Sequence, residues 1–236
     1  MKPSNALMKY HLTLNQASAA VIEAAIADPT EVGSGHERIN QLDQWSKALK
    51  NRPEAAVLRN AISEAALGEF LLVSGLYRPA FASLRLFLEM SFAAIHFSAN
   101  RIELTEWLQG RKDVVWSALI DAENGVLSRR YADAFFPALR ASVDSHNTVA
   151  GKVYRNLSEY VHGNSNTWEG SAKSIEFDSL LQEKWIQHME DACTVVEYAL
   201  VLRFLKEIDL KQTPALAETI NSSLGHIEAL REFLSK

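Results

Sequence analysis

The stretch RPAFASLRLFLEMSFAAIHFSAN, residues 78–100, constrains the fold more than any other part of the chain. Pro79 suits the first turn of a helix, where its missing N–H costs nothing. Beyond it, apolar residues fall on nearly every side of the helical wheel. Such a helix has no face to give to water, so it belongs at the centre of a bundle. Arg85 and Glu89 interrupt it at i,i+4. Burying either charge alone costs several kcal/mol, so the two are expected to pair. They form either a structural ion pair or a brace beneath a functional cleft.

The rest of the chain reads as more helices around this one. Alternating β-branched runs joined by tight glycine turns are nearly absent. Helices are expected over 5–27, 36–51 and 53–74, with PTEVGSG as the first connection. The third carries Val57, Ala61, Ala65, Leu67 and Phe70. Short helices follow over 101–109, 113–122 and 127–136. A longer one runs over 138–162 with a break near Ser145. The polar run GNSNTWEGSAKS reads as a loop. Helices over 178–207 and 215–233 complete an all-α chain. Its organisation reads as flanking helices over 1–52, a helical bundle over 53–210 and a C-terminal helix over 211–236.

Composition narrows the function. The 236 residues carry a net charge of −5, which excludes a uniformly basic nucleic-acid coat but not a local basic site. The least acidic segment is 111–163, with seven basic residues (Arg111, Lys112, Arg129, Arg130, Arg140, Lys152, Arg155) against six acidic ones. Cys193 is the only cysteine, so neither an intrachain disulfide nor a cysteine zinc cluster is available. Its setting, ACTVVEYALVL, predicts a buried thiol that acts as a small hydrophobe. No uninterrupted apolar run reaches about 18 residues, so no membrane span is expected. MKPSNALMKYHLTLNQ lacks the apolar core of a signal peptide, and a cytoplasmic location is expected.

One segment groups residues that could do chemistry. In KVYRNLSEYVHGN, 152–164, a wheel with about 100° per residue puts Val149, Ala150, Val153, Leu157, Tyr160 and Val161 on one stripe. Arg155 and His162 land on the opposite face, about 10 Å apart along the axis. Ser158 and Glu159 lie between them, and Gly163 can take the left-handed position that ends the helix. A polar stripe opposite a core stripe also describes any surface helix.

Arg155-Asn156-x-x-x-x-x-His162, placed at a helix end before a loop, resembles the R-x(4–6)-H signature of the HEPN superfamily. The segments LYRPAFASLRLFLEMSF and YRNLSEYVHGN together look like a HEPN protein of the bacterial toxin and antiphage-defence kind. The resemblance covers residues 53–205 and implies a helical bundle acting as a dimer. It implies a metal-independent ribonuclease without a cofactor, held in check by an inhibitory or regulatory protein. On that reading His162 is the general acid or base, because imidazole titrates near neutral pH. Arg155 is the clamp on the phosphate. Asn156 orients one of them, with Ser158, Glu159, Arg85 and Glu89 in support. Glu159 can also pair with His162 or Arg155 and hold the site at rest. A non-catalytic HEPN-like module that binds RNA or a partner protein stays open as the alternative.

Other features carry less. Glu159-x-x-His162 has the spacing of a di-iron helix, but the second pair such a site needs is missing. GSGHE lacks the lysine and preceding strand of a phosphate-binding loop. Trp168 reads as a packing anchor rather than a platform for stacked bases.

Overall fold

The computed structural model describes residues 3–170 and 175–235. It is all-α, with no strand among the described residues. The helices are α1 (Pro3–Ala25), α2 (Pro29–Ala48), α3 (Ala55–Val73), α4 (Tyr77–Ala99), α5 (Arg101–Leu108), α6 (Trp116–Leu119) and α7 (Arg129–Phe135). They continue with α8 (Val143–His162), α9 (Ser179–Phe204), α10 (Pro214–Leu224) and α11 (Glu228–Leu234).

Helix α4 takes the central place that its sequence predicts. Phe81, Leu84, Phe87, Leu88, Phe92 and Ile95 are completely buried. By length and composition it could cross a membrane, yet 67% of its most apolar window is buried inside the bundle. Helices α3, α8 and α9 pack around it. The turn into α4 closes with Leu76 N donating to Leu71 O and Gly75 N to Leu72 O, and Gly75 takes φ +77°. That is a left-handed helix terminus of the Schellman kind. A Cβ at Gly75 would meet Ile175 at 2.9 Å, so the position also needs glycine for space.

Cross-helix bonds set the directions. Arg78 reaches Tyr160 while Arg85 reaches Tyr154, so α8 runs antiparallel to α4. Tyr77 meets Asp178 and Ser98 meets Arg203, so α9 runs parallel to it. Helix α2 lies across α3 and α9. Its Leu42 and Trp45 are buried, as are Leu216, Ile220 and Leu224 of α10. The segments before residue 53 and after residue 210 thus enter the same core.

Several local expectations need correction. PTEVGSG is not a loop: Asp28 caps α2 by accepting from Thr30 N at 3.0 Å, and Pro29 opens the first turn. That start signal offsets part of the helix penalty of Gly33 and Gly35, about 1 kcal/mol each, and burial of Val32, Ile39 and Leu42 supplies the rest. Leu67 and Phe70 are 45% and 60% exposed. Ala61, Ala65, Gly68 and Leu72 form the inward stripe of α3, and the other two point the opposite way. The C-terminal helix breaks at Gly225 into α10 and α11, and helix 113–122 shrinks to the single turn α6. Cys193 is fully buried, and burial pushes its thiol pKa far up, as expected of a structural thiol.

Candidate functional site

The core stripe of α8 is narrower than the wheel suggests. Ala150, Val153, Leu157 and Tyr160 are buried, whereas Val149 and Val161 are 37% and 40% exposed at its margins. Phe81 stacks on Tyr160 with ring centroids 3.7 Å apart and planes 8° from parallel, which locks the inward face onto α4. Arg155 and His162 therefore face outward, and both are exposed. Among the described residues, neither side chain has a hydrogen-bond or ion-pair partner.

The end of α8 is built with some care. Gly163 takes φ +66°, ψ +40°, and Asn164 N donates to Glu159 O at 3.1 Å. Arg78, on α4, donates from Nε to Tyr160 O at 2.8 Å, and its guanidinium lies against Gly163. A cation on the last carbonyls of a helix meets the negative end of the dipole. The Trp168 indole N–H donates to Gly163 O at 2.9 Å while the residue stays 64% exposed. The expectation that Trp168 is a packing anchor is overturned. Its N–H is pinned to the chain directly after His162, and its ring is open to solvent.

The other residues divide clearly. Glu159 accepts from Asn166 Nδ2 at 2.7 Å instead of pairing with Arg155 or His162. Ser158 donates to Tyr154 O at 2.7 Å, a local helix bond that occupies its hydroxyl proton. Asn156 is half-buried and makes no side-chain hydrogen bond among the described residues. Arg85 and Glu89 do pair, at 3.0 Å, and share the Tyr154 hydroxyl at 2.6 and 2.9 Å. The Tyr154 ring is stacked on Trp116 with centroids 4.2 Å apart, and the Arg85 guanidinium lies 4.8 Å from the ring centroid. Burial and the bond to Glu89 raise the Tyr154 pKa. This network braces the α4–α8 seam. It does not touch Arg155, which projects about 100° further round the helix.

Comparison with family models, curated proteins and solved structures finds no match to this chain. The site is therefore read from its geometry. Arg155 and His162 are exposed in one copy, and neither lines the five cavities around residues 8–18, 37–44, 48–52, 96–119 and 124–135. Among the described residues, no three His, Cys, Asp or Glu side chains gather as metal ligands would.

Sequence reasoning passed over two residues here. Arg78 lies in the apolar segment, where only Arg85 and Glu89 drew attention. His188 on α9 is 8% exposed, lies edge-on to Phe81 at 6.1 Å, and has no partner for either ring nitrogen. Burial lowers its pKa, and Lys184 and Lys152 push the same way against Asp191. Its setting among apolar α9 residues gave no sign that both nitrogens would be orphaned.

Proposed function

We propose that this chain is a metal-independent endoribonuclease of the HEPN type, working as a homodimer. One observation carries the reading: Arg155, His162 and Trp168 stand exposed on the C-terminal half of α8 and the loop after it, with neither Arg155 nor His162 engaged elsewhere among the described residues. Those three groups match what single-stranded RNA offers. A guanidinium fork suits phosphate oxygens, an imidazole moves protons near neutral pH, and an open indole stacks on a base.

The reaction runs through the 2′-hydroxyl of the RNA. Its oxygen attacks the adjacent phosphorus as a base removes its proton. The P–O5′ bond breaks, and an acid protonates the leaving oxygen. His162 supplies one of these transfers, and the other comes from the second copy or from water. Arg155 holds the negative charge that builds on the phosphate. The axial offset of about 10 Å between the two residues is long for one phosphate within one helix. Two copies facing each other would close that gap and form a shared cleft. The resemblance places such a protein among toxin or antiphage effectors restrained by a protein partner.

The same open geometry favours a second reading, an HEPN-like module that binds RNA or a protein without cutting. Single-stranded RNA incubated with the protein separates the two. Cleavage lost in His162→Ala and untouched by a chelator supports the nuclease. Cleavage that survives the substitution removes His162 from the mechanism. Binding without any cleavage by the wild-type protein selects the second reading.

A further inference from the structure

The end of the bundle away from His162 holds a cavity of about 150 Å³. His96, in the last turn of α4, lies about 27 Å along that helix from Arg78, whose guanidinium touches Gly163. The cavity forms where the chain folds back after α5. Gly110 takes φ +66°, its N donates to Trp107 O at 2.9 Å, and Arg111 N donates to Glu106 O at 2.9 Å. That left-handed end of α5 brings residues 112–115 to the cavity beside Trp107. Phe97, Trp107, Val114, Val115, Ala118 and Leu119 supply the apolar walls. At the rim, Glu103 Oε2 lies 3.0 Å from Lys112 Nζ and 3.2 Å from His96 Nε2. Asn100 Nδ2 donates to His96 O at 3.0 Å and lies 3.3 Å from His96 Nδ1. An amide NH2 only donates, so Nδ1 accepts, and the proton of a neutral His96 sits on Nε2, facing Glu103.

Volume decides the size of what fits. An apolar cavity of about 150 Å³ takes one benzene-sized ring. Charge decides its polarity. At the rim, Lys112 opposes a ligand cation, while Glu103 and Asp113 oppose an anion. What the rim leaves free is one kind of donor and one kind of acceptor. The donors are the remaining N–H groups of Lys112. The acceptors are Glu103 Oε1 and the Asp113 carboxylate, which have no partner among the described residues. The geometry points to a binding site for an uncharged single-ring aromatic with an amide-type edge, the chemistry shared by aryl carboxamides and pyrimidine bases. The ring lies against Phe97, Trp107 and Leu119. Its carbonyl oxygen accepts from Lys112, and its N–H donates to Glu103 or Asp113. Apolar walls with a few converging polar groups are the usual make-up of a small-molecule site. Neither Arg155 nor His162 lines this cavity, so the site goes beyond the proposed function and does not depend on it.

Saturation-transfer NMR and calorimetric titration of the full chain test this with benzamide as the probe. Benzamide should bind with a dissociation constant on the order of 100 µM, an ordinary affinity for a ligand of one ring. Toluene lacks the polar edge, and benzoate and benzylammonium carry charge. Each should bind about tenfold more weakly or worse. Ala118 is exposed and lines the cavity, so Ala118→Phe should fill the space, keep the helical circular dichroism and weaken benzamide by a similar factor. Lys112→Met removes the donor, leaves the walls in place and should abolish the preference for benzamide over toluene. No binding of benzamide overturns the site. Benzoate or benzylammonium binding as tightly as benzamide overturns the uncharged edge. Benzamide binding that both substitutions leave unchanged lies elsewhere on the molecule and overturns the assignment. Should Ala118→Phe lose its helical signal, Lys112→Met decides alone.

Discussion

Arg38→Met tests how the bundle tolerates charge in its core. Arg38 on α2 donates from Nη2 to Glu197 Oε2 on α9 at 3.2 Å, and the two side chains are 12% and 1% exposed. It also reaches Glu190 at 3.4 Å, whose side chain is 36% exposed and whose ion pair is worth little. Burial raises the Glu197 pKa, and Arg38 opposes that rise. Methionine keeps much of the stem and removes the cation, which leaves a buried carboxylate without its charged partner. Breaking a buried pair from one side costs about 3–5 kcal/mol, roughly 10 °C in Tm for a domain of this size. The sign with pH follows. A carboxyl whose folded pKa lies above its unfolded value of 4.5 contributes stability below that value and loses it as pH rises through the folded pKa. Removing Arg38 raises the folded value further, so the penalty should be larger at pH 7 than at pH 5. Urea unfolding followed by circular dichroism at both values measures this. Adding Glu197→Leu to Arg38→Met should recover most of the loss. An equal penalty at both pH values, or no recovery in the double variant, refutes the reasoning.

Two more predictions follow from the neighbourhood of α8. Gly163→Ala puts a side chain at φ +66° with its Cβ 2.6 Å from Arg78 Nη2, so the guanidinium must also move. A loss of about 1–2 kcal/mol is expected from the left-handed backbone, readable in thermal unfolding. His188→Phe removes two orphaned nitrogens from an apolar site. Because burial depresses the His188 pKa, wild-type stability should be full above the unfolded value of 6.5 and fall below it. The variant should match or exceed the wild type at pH 7 and lose less between pH 7 and pH 5. His146, also depressed by burial, keeps part of the slope.

Much of the fold was open to reading because burial leaves a periodic trace. The all-round apolar segment after Pro79 could only be a central helix, and it is one. Periodicity failed where two signals competed. At 29–35 the glycines suggested a loop, but the cap at Asp28, Pro29 in the first turn and the buried face of Val32, Ile39 and Leu42 together hold the helix. On α3, Leu67 and Phe70 are as apolar as their neighbours, yet they lie off the buried stripe that holds Val57, Ala61, Ala65, Gly68 and Leu72. The break at Gly225 was invisible for a related reason. Its neighbours remain apolar on both sides, so the pattern continues while the backbone does not.

The candidate site divides along the same line. A wheel tells which way a residue faces, so it places Arg155 and His162 outward. It is blind to partners supplied by distant parts of the chain. Glu159 had Arg155 and His162 as neighbours on its own helix, yet its partner is Asn166 in the following loop. Trp168 looked like a core anchor by type, yet a carbonyl one residue past His162 holds its N–H and leaves the ring bare. Arg85 and Glu89 found each other as their spacing requires, and the hydroxyl of Tyr154 joined them from α8. That last contact bears on function. It fixes the helical phase of α8 one residue before Arg155, and Phe81 on Tyr160 fixes it again two residues before His162. With both ends of the stripe held, Arg155 and His162 cannot rotate inward to find partners, and both side chains stay available at the surface.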